Sequence, residues 1–191
     1  GGINITYDDG KTWFKANSLP VGQFYAVAYD LEKPYNVYGG LQDNGVWYGP
    51  STNNFDFNFG IFDGGDGFKF LMGGDGMQVM VDTRDNNTLY TGYQFGNYSR
   101  VKVQEEDYMD LSVRHTLGER PLRWNWQTPI LLSKFNQDIL YICSNKVHRS
   151  TNKGETFTTL SEDLTQGERS GNVPFGTLTA ITESPLQFGL L

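Results

Sequence analysis

"DLEKPYNVYGG", Asp30 to Gly40, decides the fold because the chain repeats it. It aligns without a gap with "DTRDNNTLYTG" from Asp82 and with "SKFNQDILYIC" from Ser133, and a shortened copy, "ESPLQFGLL", begins at Glu183. Each copy closes one apolar run, passes through polar turn residues and opens a second apolar run. Tyr38, Tyr90 and Tyr141 hold the same place in that second run, 52 and 51 residues apart, and Leu191 holds it in the last copy. A period near fifty residues marks a stacked repeat, whose units bury their apolar faces only against one another.

Outward from these copies the pattern continues. A strand-like run precedes each ("FYAVAY", "MQVMV", "PILL", "LTAIT"), and another follows each complete copy ("GVWYG", "YSRVKV", "KVHRS"). Short β-branched and aromatic runs between Gly, Asn, Asp and Ser read as strands. No long stretch keeps a 3.6-residue apolar period, so few helices are expected. The unit is therefore strand A, turn, strand B, turn, strand C and a more variable strand D. Four antiparallel strands in such a repeat make a β-propeller blade. The predicted fold is all-β, a partial propeller over 1–191. The end of one blade spans 1–23, complete blades span 24–77, 78–128 and 129–175, and the next blade starts at 176–191. The stretch reads as part of a longer chain, with the remaining blades of the same polypeptide as its first partner.

The balance of 15 Lys and Arg against 22 Asp and Glu, net −7, argues against nucleic acid as a partner, since phosphate binding needs a basic face. No apolar run reaches the length of a membrane span. Cys143, the one cysteine, lies in "ILYICSN"; it excludes an internal disulfide and reads as a buried, inert thiol.

Two octapeptides fall between strands C and D: "TYDDGKTW" (Thr6 to Trp13) and "STNKGETF" (Ser150 to Phe157). Asp8 or Asn152 can accept hydrogen bonds from the turn's own backbone. Gly10 and Gly154 can take positive φ without a Cβ penalty. Trp13 and Phe157 are expected to point between blades, where burying roughly 150–250 Å² of aromatic surface is worth up to about 4–6 kcal/mol. Asn152 would be a poor acid or base, which favours architecture over chemistry. Thr6, Asp8, Gly10, Thr12 and Trp13 resemble the Asp-box, the bacterial neuraminidase repeat Ser/Thr-x-Asp-x-Gly-x-Thr-Trp/Phe. Ser150, Asn152, Gly154, Thr156 and Phe157 resemble it too, with Asn152 as the departure.

Blade topology sorts the loops. A–B and C–D turns share one face, which takes Asp8, Asp9 and Asn152. B–C and D–A loops share the other, which collects "LQDNG", "YQFGN", "CSNK", "MGGDGM" and "RWNWQT". Aromatic surfaces beside a few polar groups suit sugar rings or peptide segments. Gln42, Asn44, Gln94, Asn97, Trp124, Trp126 and Asn145 are the candidate ligand-binding residues, with Asn125 among them. Packing of the tryptophans between blades and turn capping by the amides is the competing reading. Asp43 and Asp75, each in a glycine-flanked turn, are the candidate catalytic pair.

The glycine-rich "FDGGDGF" and "MGGDGM" have no Gly-Lys-Ser/Thr ending of a phosphate loop and no EF-hand spacing. Calcium on Asp63, Asp66 or Asp75 competes with tight turns leading into strand A, and the turns are preferred; no cofactor is expected. His115 and His148 stand outside any zinc spacing, and no serine has a nearby His/Asp set, so nucleophilic catalysis has no support.

Longer stretches resemble large secreted bacterial proteins, the sortilin-like or glycosyl-hydrolase-like Asp-box propellers. They are "VYGGLQDNGVWYGPS" from Val37, "GGDGMQVMVD" from Gly73, "WNWQTPILLS" from Trp124 and "HRSTNKGETFTTLSEDLT" from His148. The resemblance implies a periplasmic or extracellular location. It leaves three functions open: binding of a glycan or a peptide or protein, xyloglucanase-like hydrolysis, and a scaffold in a cell-envelope assembly. An inverting hydrolase would need two carboxylates roughly 6.5–9.5 Å apart with room for water.

Overall fold

A computed structural model describes residues 3–16, 22–52, 67–165 and 176–191, and every element assigned among them is a strand. Asp63 and Asp66 lie outside the described residues. A first hairpin pairs β1 (Ile3–Ile5) with β2 (Phe14–Ala16). Three four-stranded antiparallel meanders follow. The first blade holds β3 (Phe24–Tyr29), β4 (Asn36–Leu41), β5 (Gly45–Pro50) and β6 (Lys69–Met72). The second holds β7 (Val79–Val81), β8 (Thr88–Tyr93), β9 (Asn97–Lys102) and β10 (Asp107–Asp110). The third holds β11 (Ile130–Leu132), β12 (Leu140–Cys143), β13 (Val147–Ser150) and β14 (Thr158–Thr159).

Strand alternation sets how the blades stack. Side chains along a strand point to opposite faces in turn, so Leu89 and Tyr90 of β8 serve different neighbours. Tyr38, Val46 and Leu71 of the first blade meet Val79, Val81, Leu89 and Val101 of the second. Met77, Tyr90, Tyr98 and Leu111 meet Ile130, Leu132, Leu140 and Ile142 of the third. Tyr141, Cys143 and Val147 are covered by Leu178 and Ile181. The repeated tyrosine thus always faces the following blade. Burial pushes the Cys143 thiol up to about 12, so no thiolate forms near neutrality. Residues 176–191 contain no assigned strand; "LTAIT" covers its neighbour and donates the Leu178 amide to the Ser144 carbonyl at 2.9 Å.

The residue that opens each copy, an acid in all but the third, is buried. Asp30 accepts hydrogen bonds from Tyr38 Oη at 2.9 Å, Asn36 Nδ2 at 2.7 Å and the backbone of Asn36 and Glu32. Burial works to raise its pKa, but these donors outweigh it and hold the carboxyl below its ordinary value. Asp82 instead binds Arg84 through Nε at 2.9 Å and Nη2 at 2.7 Å, which leaves the buried Tyr90 hydroxyl without a partner among the described residues. In the third blade Ser133 replaces the acid, and its Oγ donates to Glu183 at 2.7 Å. A hydrogen bond to a charged acceptor contributes more than a neutral one, and an unpaired buried hydroxyl contributes nothing. Tyr38→Phe is therefore expected to destabilise by about 2 kcal/mol, and Tyr90→Phe to be neutral or slightly stabilising. Denaturant midpoints of the two variants check this directly.

On the same face, neighbouring blades are laced together. Arg84 reaches Asp138 at 2.7 Å, and Lys153 reaches Asp82 at 3.4 Å. Thr83 and Gln137 exchange two hydrogen bonds, at 2.7 and 2.8 Å.

The two octapeptides share one hydrogen-bonding scheme. Thr6 Oγ1 donates to Asp8 Oδ1 and accepts from the Gly10 amide; Ser150 Oγ does the same with Asn152 and Gly154. Asp8 Oδ1 accepts the Thr12 amide at 2.8 Å, and Asn152 Oδ1 accepts the Thr156 amide at 3.0 Å. Gly10 and Gly154 both lie at φ +87°. Hydrogen bonds from Thr12 hold the Asp8 carboxyl below its ordinary value.

The aromatic ends of the octapeptides diverge. Phe157 is half-buried in the interface between the second and third blades, near Met109 and Leu111. Trp13 is 64% exposed, which corrects the expectation that it is buried between blades. Phe157 takes its cover from the blade before its own, and none of the described residues stands before the β1–β2 hairpin. A second correction concerns "FDGGDGF": the chain from Gly67 enters β6, a strand D, whereas "MGGDGM" does lead into strand A, β7.

Candidate functional site

The loop-rich face is built by D–A loops threading between B–C turns. Asp75 Oδ1 accepts the Asp43 amide at 2.6 Å, and the Gly45 amide donates to the Gly74 carbonyl at 2.9 Å. The Asp75 amide in turn donates to Gln94 Oε1 at 3.2 Å, in the B–C turn of the second blade. One blade on, the Phe95 amide donates to the Trp126 carbonyl at 3.2 Å, and the Arg123 amide donates to Asn145 Oδ1 at 3.1 Å. Asp43 and Phe95 occupy equivalent places and both take positive φ, +58° and +63°. Each D–A loop therefore ties two successive blades at the face.

The sequence candidates divide under this geometry. Asp75 is buried and caps the turn that carries Asp43, whereas Asp43 is exposed, with no hydrogen bond or ion pair to its carboxylate among the described residues. The two residues adjoin, but one carboxylate holds backbone. Asn44 Nδ2 donates to the Gln42 carbonyl and Asn97 Nδ2 to the Gln94 carbonyl, so both amides brace their turns from one end. Asn145 is buried. Arg123 is clamped by Asp163 at 2.6 Å and by the Gly176 carbonyl at 3.0 Å. Hydrogen bonds, first from Thr165 and then from Arg123, hold the Asp163 carboxyl well below the usual range.

The two tryptophans part company. Trp124 is half-buried, its ring against Gly96 and 5.9 Å from the His148 ring. Trp126 is 43% exposed and meets Phe95, 46% exposed, at 5.3 Å with the rings 83° apart. Trp126 Nε1 lies 3.4 Å from the Tyr25 hydroxyl of β3, so a first-blade strand touches the loop that links the second blade to the third. Tyr93 adds another exposed ring, its base against Gly74. Tyr25, Tyr93 and Phe95 are rim residues that the amide-centred reading passed over. The irregularity in β3 between Phe24 and Ala26, beside Tyr25, leaves no mark in the alternation pattern.

A serine and a histidine do meet, but without the acid that a His/Asp set would need. Ser144 Oγ lies 2.8 Å from His148 Nε2, and Thr159 Oγ1 lies 3.0 Å from Nδ1. Ser144 and His148 are fully buried, and the second ring nitrogen meets a hydroxyl instead of a carboxylate. Burial lowers the His148 pKa to about 4, so the ring is neutral and inaccessible to substrate. This pair is structural.

Elsewhere, an open groove of about 190 Å³ separates Asp110–Arg114 from Gly154–Phe157. Ligand pockets of roughly 300–1,000 Å³ are the rule, so this groove is too small and open to serve as one. No helix among the described residues is long and apolar enough to cross a membrane.

No protein-family model and no curated protein matches the chain. Among solved structures it is similar to a chain in the crystal structure of the mitotic checkpoint complex, at 14% identity and a TM-score of 0.39. The match covers 77% of this chain and 40% of that one, so the chain spans about two fifths of the length of the structure it matches.

Proposed function

We propose that the chain is a non-catalytic binding module of an exported β-propeller protein, and that its ligand lies on the rim formed by Tyr25, Tyr93, Phe95 and Trp126. The observation that carries this reading is the Phe95–Trp126 pair. Two aromatic rings stay nearly half open to solvent while the backbone bond between their residues fixes them in place. Rigid aromatic groups already in position bind without a large ordering cost. The resemblance of the octapeptides and the longer stretches to secreted Asp-box propellers supports export to the periplasm or beyond.

Hydrolysis by Asp43 and Asp75 is the weaker alternative, because Asp75 is engaged by the Asp43 amide instead of facing open space. In the full-length protein, Trp126→Ala should weaken capture of the best-bound member of a panel of neutral oligosaccharides and synthetic peptides about tenfold, a typical anchor effect. No bond in either panel should be cleaved. Unchanged binding by the variant, or no binding to either panel, would overturn the proposal.

A further inference from the structure

We infer that the rim receives a cation carried on a polypeptide, an arginine or lysine side chain of a partner segment; this deepens the binding reading above and rests on it. The loops that carry the two rings or are hydrogen-bonded in series to them are "LQDNG" (41–45), "MGGDGM" (72–77), "YQFGN" (93–97) and "WNWQT" (124–128). Together they contain Asp43 and Asp75 and no Lys, Arg or His. Two cations stand near them on this face: Arg123, which already has Asp163, Thr165 and the Gly176 carbonyl as partners, and Lys146, in the B–C turn of the third blade. The chain as a whole carries −7. An aromatic face attracts a cation through its quadrupole, and Phe95 and Trp126 both keep nearly half of their surface open. Asp43 supplies the formal charge. Its turn is linked through Asp75, whose carboxylate accepts the Asp43 amide and whose own amide donates to Gln94, which adjoins Phe95.

The amides fit a peptide. Gln94 accepts through Oε1 and keeps its NH₂ group, while Asn97 donates through Nδ2 and keeps its carbonyl oxygen. A donor and an acceptor beside the aromatic corner match the alternating groups of an extended backbone.

The test uses the full-length protein and two peptide libraries that differ only at the central residue, arginine in one and its neutral isostere citrulline in the other. Neutral oligosaccharides serve as a third probe. Calorimetric titration should give at least tenfold tighter binding of the arginine library, a loss of most of that preference in Trp126→Ala, and a three- to tenfold loss with a flatter salt dependence in Asp43→Asn. Asparagine tolerates the positive φ of this position, and the Asp43 carboxylate bonds to none of the described residues, so the variant keeps the fold. Equal binding of arginine and citrulline libraries, or Trp126-dependent binding of the sugars alone, would overturn the cation assignment and leave the binding rim standing. Failure of all three probes to bind, or binding indifferent to Trp126→Ala, would overturn both.

Discussion

Between pH 6.5 and pH 4 the protein is expected to lose about 3 kcal/mol of stability through His148 alone. The ring is fully buried between Ser144, Thr159 and Trp124, and burial lowers its pKa from 6.5 to about 4. The sign follows from proton uptake. Below pH 6.5 the unfolded chain protonates this histidine while the folded one does not, so acid favours unfolding. The loss is complete once the folded state also protonates, near pH 4. Asp30 and Asp82 act in a lower window: their pKa values are depressed on folding, so their contribution fades only as pH falls below the ordinary carboxylate value of 3.8. Urea midpoints at pH 7, 5.5 and 4 should fall steeply in the wild type and much less in His148→Gln, which keeps polar partners for both hydroxyls. Parallel slopes in the two proteins would contradict the assignment.

Gly40→Ala is expected to destabilise by at least about 3 kcal/mol. Gly40 sits on β4 with φ in the ordinary range, so the effect is purely steric. A methyl group there would overlap the Met77 carbonyl oxygen and the Gly76 backbone, and one at Gly76 would likewise overlap the Gly45 carbonyl. None of these atoms can rotate away, unlike the tip of a side chain. The same movement would pull on the bond from the Gly76 amide to the Leu41 carbonyl at 3.0 Å. Gly73→Ala, in the same loop with only the Phe70 ring within reach, should be mild by comparison. Thermal denaturation of the two variants side by side checks the claim; similar melting points would refute it.

The spacing of Tyr38, Tyr90 and Tyr141 made the four-stranded unit legible because it reflects a backbone repeat that each blade must obey. The octapeptides were legible for a similar reason: a hairpin closed by its own side chains needs no distant partner. What stayed hidden depends on neighbours far along the chain. Asp75 and Asp43 are 32 residues apart, and nothing local marks one as the cap of the other. Trp126 meets Tyr25, 101 residues away along the chain. Ser144 and His148 are close in sequence, but only the tight turn between β12 and β13 brings their side chains together. Trp13 and Phe157 hold equivalent motif positions and differ only in what stands beside them.

The forward-facing tyrosine gives the stack a rotational sense. Every junction is head-to-tail, one surface of a blade meeting the opposite surface of the next, as in heterologous assembly. A blade cannot be reversed, since Tyr90 would then confront Tyr38 in place of Leu89. Inserting or removing a whole period of about fifty residues preserves matched junctions, whereas a half-period change leaves two like surfaces facing each other. Growth and loss of such a chain by genetic duplication is thus restricted to complete units.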